Sequence, residues 1–171
     1  MLHAICLATL LLGGVESPLL MPEAKQNTSK QFKPNRPALI KKNASATYVL
    51  AASAGKAIGP NIKYMPEYQA FGWFTSKDRV EWEVEIQKTG NYQVEIDYSV
   101  DNTEAGKEFI LLANGTQLVG KVPSSGSWET YRVIKPGKIK LQAGVQKIVF
   151  KSKTWFKDGG AILDLRGITL R

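Results

Sequence analysis

Between Val80 and Val100 the sequence alternates with a period of two, and no other feature constrains the fold as tightly. Val80, Trp82, Val84 and Ile86 fall on one phase, with Glu81, Glu83, Glu85 and Gln87 on the other. After Thr89-Gly90-Asn91, the residues Tyr92, Val94, Ile96, Tyr98 and Val100 alternate with Gln93, Glu95, Asp97 and Ser99. Successive side chains of an extended chain point to opposite faces, so each run is a strand with one buried and one solvated face. The two runs read as a hairpin, which sets Glu95 and Asp97 beside the glutamates. Shorter strands are predicted at 109–113, 117–122, 128–134, 138–141, 145–151 and 161–170. Turn signals separate them at Asn114-Gly115, 124–127, Pro136-Gly137 and Ala143-Gly144. In the last strand Ala161, Leu163 and Leu165 share a phase that Ile168 and Leu170 leave at Gly167, which predicts a β-bulge. No window of a dozen residues carries a helical period. Eight or so short antiparallel strands predict an all-β fold, an antiparallel β-sandwich or jelly roll.

This strand-rich region, 44–171, is preceded by two segments of different character. Residues 4–15 are apolar, about the length of a signal-peptide core and too short to span a membrane. Small residues follow at Gly13, Gly14 and Ser17, although no basic residue precedes the core. Residues 1–24 are therefore read as a signal-peptide-like segment, which predicts a secreted or periplasmic protein. Residues 25–43 carry Lys25, Lys30, Lys33, Arg36, Lys41 and Lys42 with no acid, and Pro34 and Pro37 break regular structure, so they read as a linker. The net charge is +8, yet from Ala44 onward 17 basic and 13 acidic residues leave only +4. Half of the excess thus sits on or near the linker. Without a basic helix or a nucleic-acid-binding signature, this argues against nucleic acid. The remaining positive balance favours acidic or sulfated polymers as partners.

Chemistry-bearing residues are sparse. His3 and Cys6 are the only histidine and cysteine, and both lie in the apolar N-terminal stretch. A processed chain would have no thiol nucleophile, imidazole base, disulfide or His/Cys zinc site. Glu81, Glu83 and Glu85 line a solvated face, where nothing apolar raises a pKa for acid catalysis. An enzyme is therefore not predicted. Asp164 interrupts an apolar strand, and a buried aspartate needs a partner. Arg166, on the same phase, is the first candidate, with a metal-ligand role as the alternative. Asn114-Gly115-Thr116 matches a glycosylation sequon but reads as a hairpin turn.

Aromatic residues divide into two sets. Trp82, Tyr92 and Tyr98 occupy the apolar phase and belong to the core. Tyr64, Tyr68, Phe71, Trp73 and Phe74 precede the first strong strand, and Trp155 and Phe156 lie in the loop 153–160. Such residues either plug the open ends of a sandwich or offer flat faces to a pyranose ring. In the second reading Trp155 is a platform, with Lys157 and Asp158 as hydrogen-bonding partners.

Several segments resemble a known family. They are Arg79-Val-Glu-Trp-Glu-Val-Glu-Ile, Thr89-Gly-Asn-Tyr-Gln-Val-Glu-Ile, Ser127-Trp-Glu-Thr-Tyr-Arg-Val, Leu141-Gln-Ala-Gly-Val-Gln-Lys-Ile-Val-Phe and Gly159-Gly-Ala-Ile-Leu-Asp-Leu-Arg-Gly-Ile-Thr-Leu. In order and spacing they resemble the galactose-binding-like jelly rolls of carbohydrate-binding module families 6 and 35. Gly59-Pro60, Trp73-Phe74 and the ending at Ala161-Ile-Leu-Asp-Leu-Arg also resemble the accessory domains of bacterial sulfatases and α-L-fucosidases. The resemblance implies a non-catalytic module that binds a polysaccharide or glycan beside a glycan-degrading enzyme. Beside the resemblance Tyr68, Trp73 and Trp155 stand as platform residues, and with Lys157 and Asp158 of the loop 153–160 they make up the candidate ligand-binding residues. Family 6 modules often place a sugar-bonding asparagine where this chain has Ile162. Their opening strand carries acids that hold a structural calcium, whereas Tyr48-Val-Leu-Ala-Ala has no carboxylate. No cofactor is predicted beyond the calcium that the resemblance would bring. The alternative reading is a structural or protein-docking jelly roll that has lost its sugar site.

Overall fold

A computed structural model describes residues 33–157 and 159–171, which form eleven strands in two antiparallel sheets. In chain order the strands are β1 (Tyr48–Ala51), β2 (Lys56–Ile58), β3 (Lys63–Met65), β4 (Ala70–Gly72), β5 (Arg79–Ile86) and β6 (Gly90–Ser99). They continue as β7 (Glu108–Ala113), β8 (Thr116–Lys121), β9 (Arg132–Leu141), β10 (Gly144–Ser152) and β11 (Asp164–Leu170). One sheet runs β3-β4-β11-β6-β9, with β1 also paired to β11, and the other runs β2-β5-β10-β7-β8. The predicted antiparallel β-sandwich of jelly-roll type is the observed architecture.

Alternation correctly marks which faces are buried. Val80, Trp82, Val84 and Ile86 meet Val94, Ile96 and Tyr98 in one core. The polar ends of its large rings are satisfied: Trp82 Nε1 donates to the Ala51 carbonyl at 2.9 Å, and the Tyr98 hydroxyl to the Pro123 carbonyl at 2.8 Å. Strand pairing is another matter. β5 and β6 do not form a hairpin; they lie in opposite sheets, β5 between β2 and β10, and β6 between β11 and β9. A strand pair and an arch that crosses the core bury the same phase, so the pattern cannot separate them. Thr89 sits in this arch and its Oγ1 accepts the Ala143 amide at 2.9 Å, tying it to the parallel crossing between β9 and β10.

The glutamates of β5 and the acids of β6 consequently occupy opposite outer faces. Glu81 is bound by Arg79 and Lys147, each at 2.8 Å, and Glu95 by Lys135 at 3.0 Å and Arg171 at 3.1 Å. Both carboxyls are held below the usual range, chiefly by the hydrogen bond from Arg79 in the first case and from Lys135 in the second. Neither contributes to a shielded acid pair.

Three predicted boundaries change. Pro136-Gly137 is not a turn, because β9 runs through it. Val94 pairs with Gly137 and Ile96 with Ile134, so Lys135 and Pro136 together oppose Glu95 as a bulge. β9 is an edge strand, where proline removes no required ladder bond. The predicted strand 128–134 begins only at Arg132, which leaves Trp128 in the connection before it. The final strand begins at Asp164, with Ile162 and Leu163 buried ahead of it. The bulge predicted at Gly167 is present: Leu165 pairs with Tyr98 and Gly167 with Asp97, leaving Arg166 as the extra residue. Any Cβ at Gly167 would lie 2.8 Å from the Leu50 carbonyl oxygen, which accounts for the glycine.

The second half of the linker-like segment lies on the sandwich. Arg36 and Ala38 amides donate to the Ser53 and Ala54 carbonyls at 2.7 and 3.3 Å, and Ile40 is buried beside Val84. Its apolar residues, Ala38, Leu39 and Ile40, supply an edge that the prolines and lysines around them conceal in the sequence. The signal-like segment 1–24 lies outside the described residues.

Candidate functional site

Four inter-strand connections, β4–β5, β6–β7, β8–β9 and β10–β11, meet at one end of the sandwich and enclose a cleft of about 420 Å³. Its lining comprises Met65, Trp73, Thr103, Glu104, Trp128, Gly159, Ala161 and Asp164.

Trp73 owes its position to the backbone. Gly72 ends β4, Trp73 follows with φ of 51°, and Phe74 is fully buried. The left-handed conformation is unusual for a bulky residue and reverses the side-chain direction, so Phe74 enters the core while Trp73 stands 57% exposed. The Phe74 carbonyl accepts the Ile162 amide at 2.8 Å, which fixes the β10–β11 connection against this corner. Lys63 Nζ lies 5.5 Å from the Trp73 ring centre. A second cleft of about 410 Å³, lined by Pro60, Asn61, Thr75, Lys77 and Gly160 among others, adjoins the first along Trp73, Gly159 and Ala161.

Trp128 is half-buried in the β8–β9 connection. Ser99 Oγ donates to its carbonyl at 2.6 Å, and Ser125 Oγ accepts the Val100 amide at 2.8 Å. The serine-rich run that reads as a turn therefore staples this loop to the end of β6 and holds Trp128 in place.

Asp164 opens β11 and is half-buried in the same lining. The expected pair with Arg166 is not made. The bulge displaces Arg166, whose Nε donates to the Tyr68 carbonyl at 3.0 Å and whose guanidinium lies 3.4 Å from the Tyr131 ring centre. Among the described residues no side chain donates to the Asp164 carboxylate. Burial raises its pKa to about 7, and the like charge of Glu129 adds to the rise. Gly72 makes room for it, since a methyl there would lie 2.9 Å from Asp164 Oδ1 and 2.7 Å from the Met65 methyl carbon. Glu104 is paired with Lys107, and Tyr131 stacks on Tyr68 with centroids 6.4 Å apart. Burial pushes the Tyr131 hydroxyl up to about 12.

Of the residues singled out in the sequence, Trp73 and Asp164 line the cleft. Tyr68 is 39% exposed and lies behind it against Tyr131; Trp155 is 72% exposed on the surface, and Lys157 is also exposed, both outside the lining. Asp158 lies outside the described residues. Phe71 and Phe74 are buried plugs, and Ile162 is buried, so it offers no surface to a ligand. Trp128, Thr103 and Glu104 went unmarked in the sequence. The signal for Trp128 was its place immediately after a run of turn residues, which suits a loop better than a strand.

Residues 51–166 match the model of the carbohydrate-binding module family 6. The chain belongs to that family. As a family 6 module it shares the fold of solved relatives at low identity. A family 35 module from Clostridium thermocellum has 14% identity and a TM-score of 0.60, with 72% of this chain and 96% of that one covered. The C-terminal family 6 module of LamC, a marine laminarinase from Zobellia galactanivorans, has 15% identity and a TM-score of 0.60, covering 72% and 98%. An exo-β-1,3-galactanase from Phanerochaete chrysosporium has 18% identity and a TM-score of 0.59 over 73% of this chain, but only 29% of its own length is spanned. No curated protein matches the chain. The residues do not fit the calcium of family 6: β1 has no carboxylate, and among the described residues no three Asp, Glu, His or Cys side chains gather as a metal site.

Proposed function

We propose that this family 6 module binds a glycan in the cleft between Trp73 and Trp128, with the Asp164 carboxyl reading its hydroxyls. The observation that carries the reading is Trp73 itself. A tryptophan held outward by a left-handed backbone next to a buried phenylalanine contributes little to the core. A flat indole at the mouth of a cleft matches the apolar C–H face of a sugar ring, and unpartnered Asp164 supplies a polar contact at its side. The signal-like sequence of residues 1–24 supports the reading of an exported module that meets polysaccharide outside the cytoplasm. A catalytic neighbour, on the same chain or beside it, is the natural source of work for such a module.

Titration calorimetry with cellotriose, laminaritriose and β-1,3-galactotriose tests the reading. At least one trisaccharide is expected to bind, and Trp73→Ala to weaken it about tenfold or more, since stacking against an aromatic contributes on the order of 1 to 2 kcal/mol. Circular dichroism should show the variant folded. Binding that survives Trp73→Ala unchanged would place the ligand elsewhere, and no binding of any glycan would remove the reading.

A further inference from the structure

Among the described residues much of the positive charge lies on strands away from the cleft lining. Lys138 and Lys140 project from edge strand β9, and Lys147 and Lys151 from β10. The cleft lining holds two carboxylates, Glu104 and Asp164, and among the described residues neither lysine nor arginine. Lys107 neutralises Glu104. Among the described residues no cation pairs with Asp164: on its own strand Arg166 is committed to the Tyr68 carbonyl and the Tyr131 ring. Gly72 and Met65 crowd it from β4 and β3 without a charge, and Lys63 from β3 is turned to the Trp73 ring. From the β8–β9 connection the groups that act electrostatically with it are Tyr131 and Glu129, and Glu129 is exposed and negative. Asp97, on β6, acts on Tyr131 and is itself faced by Arg166. An uncompensated carboxylate thus sits between two tryptophans that suit a sugar ring.

We propose that the cleft selects an amino sugar, its ammonium lying against the Asp164 carboxylate while the ring stacks on tryptophan. The inference rests on the cleft being the glycan site. A hydroxyl can only hydrogen-bond to this carboxylate, whereas an ammonium hydrogen-bonds to it and also supplies the missing opposite charge, which turns the contact into an ion pair. Lys63 already lies over the Trp73 ring, so the attraction of an aromatic face for the ammonium comes from the Trp128 indole. A uronate or sulfated sugar meets the like charge of Asp164 and Glu129 and is disfavoured here, whatever the lysines of β9 attract elsewhere. Binding of the ammonium draws Asp164 into its ionised form. As pH falls from 7 to 5 the free carboxyl takes up a proton that the ammonium must displace, so the amino-sugar advantage declines.

The test compares each amine with its 2-hydroxy parent: glucosamine with glucose and galactosamine with galactose, by NMR titration of the full chain at low salt. At pH 7 the favoured amine should bind about five- to tenfold tighter than its parent, a difference on the order of one charge-assisted bond. The ratio should fall towards one at pH 5 and in Asp164→Asn. Glu129→Gln, at an exposed site, should lower it by about twofold. Methyl galacturonide should bind more weakly than galactose. If the parent sugars bind and the amine gains nothing, or the gain persists in Asp164→Asn, the inference fails while the glycan site stands. If none of these sugars nor the three trisaccharides binds, the glycan site fails as well.

Discussion

Two aspartates flank Trp73 and have opposite surroundings. Asp78, 2% exposed, accepts from the Thr75 amide at 2.8 Å, the Thr75 hydroxyl at 2.6 Å and the Asn61 amide at 3.1 Å. Gly59 faces it with φ of 139°, where any side chain would collide with the carboxylate. Asp164, on the other side, is half-buried, receives no side-chain hydrogen bond among the described residues and titrates near 7. The first carboxylate uses its acceptors to knit two loops together; the second keeps its acceptors open to a cleft. A buried polar group stabilises a fold only when its partners are present, and the acceptors of Asp164 line a cleft that a ligand can enter.

The comparison can be broken most sharply by removing the knitted member. Asp78→Ala strands three donors and should lower the unfolding free energy by about 3 kcal/mol in a denaturant titration. A loss below about 1 kcal/mol would mean that the network is ornamental.

Asp164 should behave in the reverse sense. The folded carboxyl titrates near 7 against an ordinary value of 3.8, so between about pH 4 and pH 7 the unfolded chain is ionised while the folded one keeps its proton. Stability therefore falls as pH rises across that window, by roughly 2 kcal/mol once partial solvent access is allowed for. Asp164→Asn should flatten this part of the profile without loss of stability at pH 7. A profile that is flat in the unsubstituted protein would show that the carboxyl is not desolvated.

Gly72→Ala presses a methyl group onto Met65 and Asp164, and should lower stability by about 1 kcal/mol. It should also weaken glycan binding more than that loss alone explains, because it moves Asp164. The smallest effect is expected at Trp155. It stands outside the cleft lining, so Trp155→Ala should change monosaccharide affinity by less than about twofold, a difference within the range of surface contacts.

Burial was the part of this molecule most legible in its sequence. Val80 to Ile86 and Val94 to Tyr98 announced their inner faces because a strand has a strict period, and Gly167 announced its bulge as a break in that period. Pairing was not legible, since crossing the core at Thr89-Gly90 leaves the same alternation as turning back beside it. Trp73 could be marked as a loop aromatic, but its outward direction depends on a positive φ that follows from the packing of Phe74. Trp128 was concealed because it opens the run 128–134, whose end from Arg132 onward does belong to β9 while 128–131 form the connection before it. Asp164 stood out as an anomaly from the start. Its role turned on where Arg166 went, and the bulge decided that by carrying the guanidinium to Tyr131.

Four tryptophans make the central claim directly measurable, because each indole N–H gives its own NMR signal. With a bound glycan titrated into the full chain, the Trp73 and Trp128 signals should shift together, with the same apparent affinity, while those of buried Trp82 and exposed Trp155 stay in place. Shifts confined to Trp155, or to any signal other than those two, would contradict a glycan site between Trp73 and Trp128.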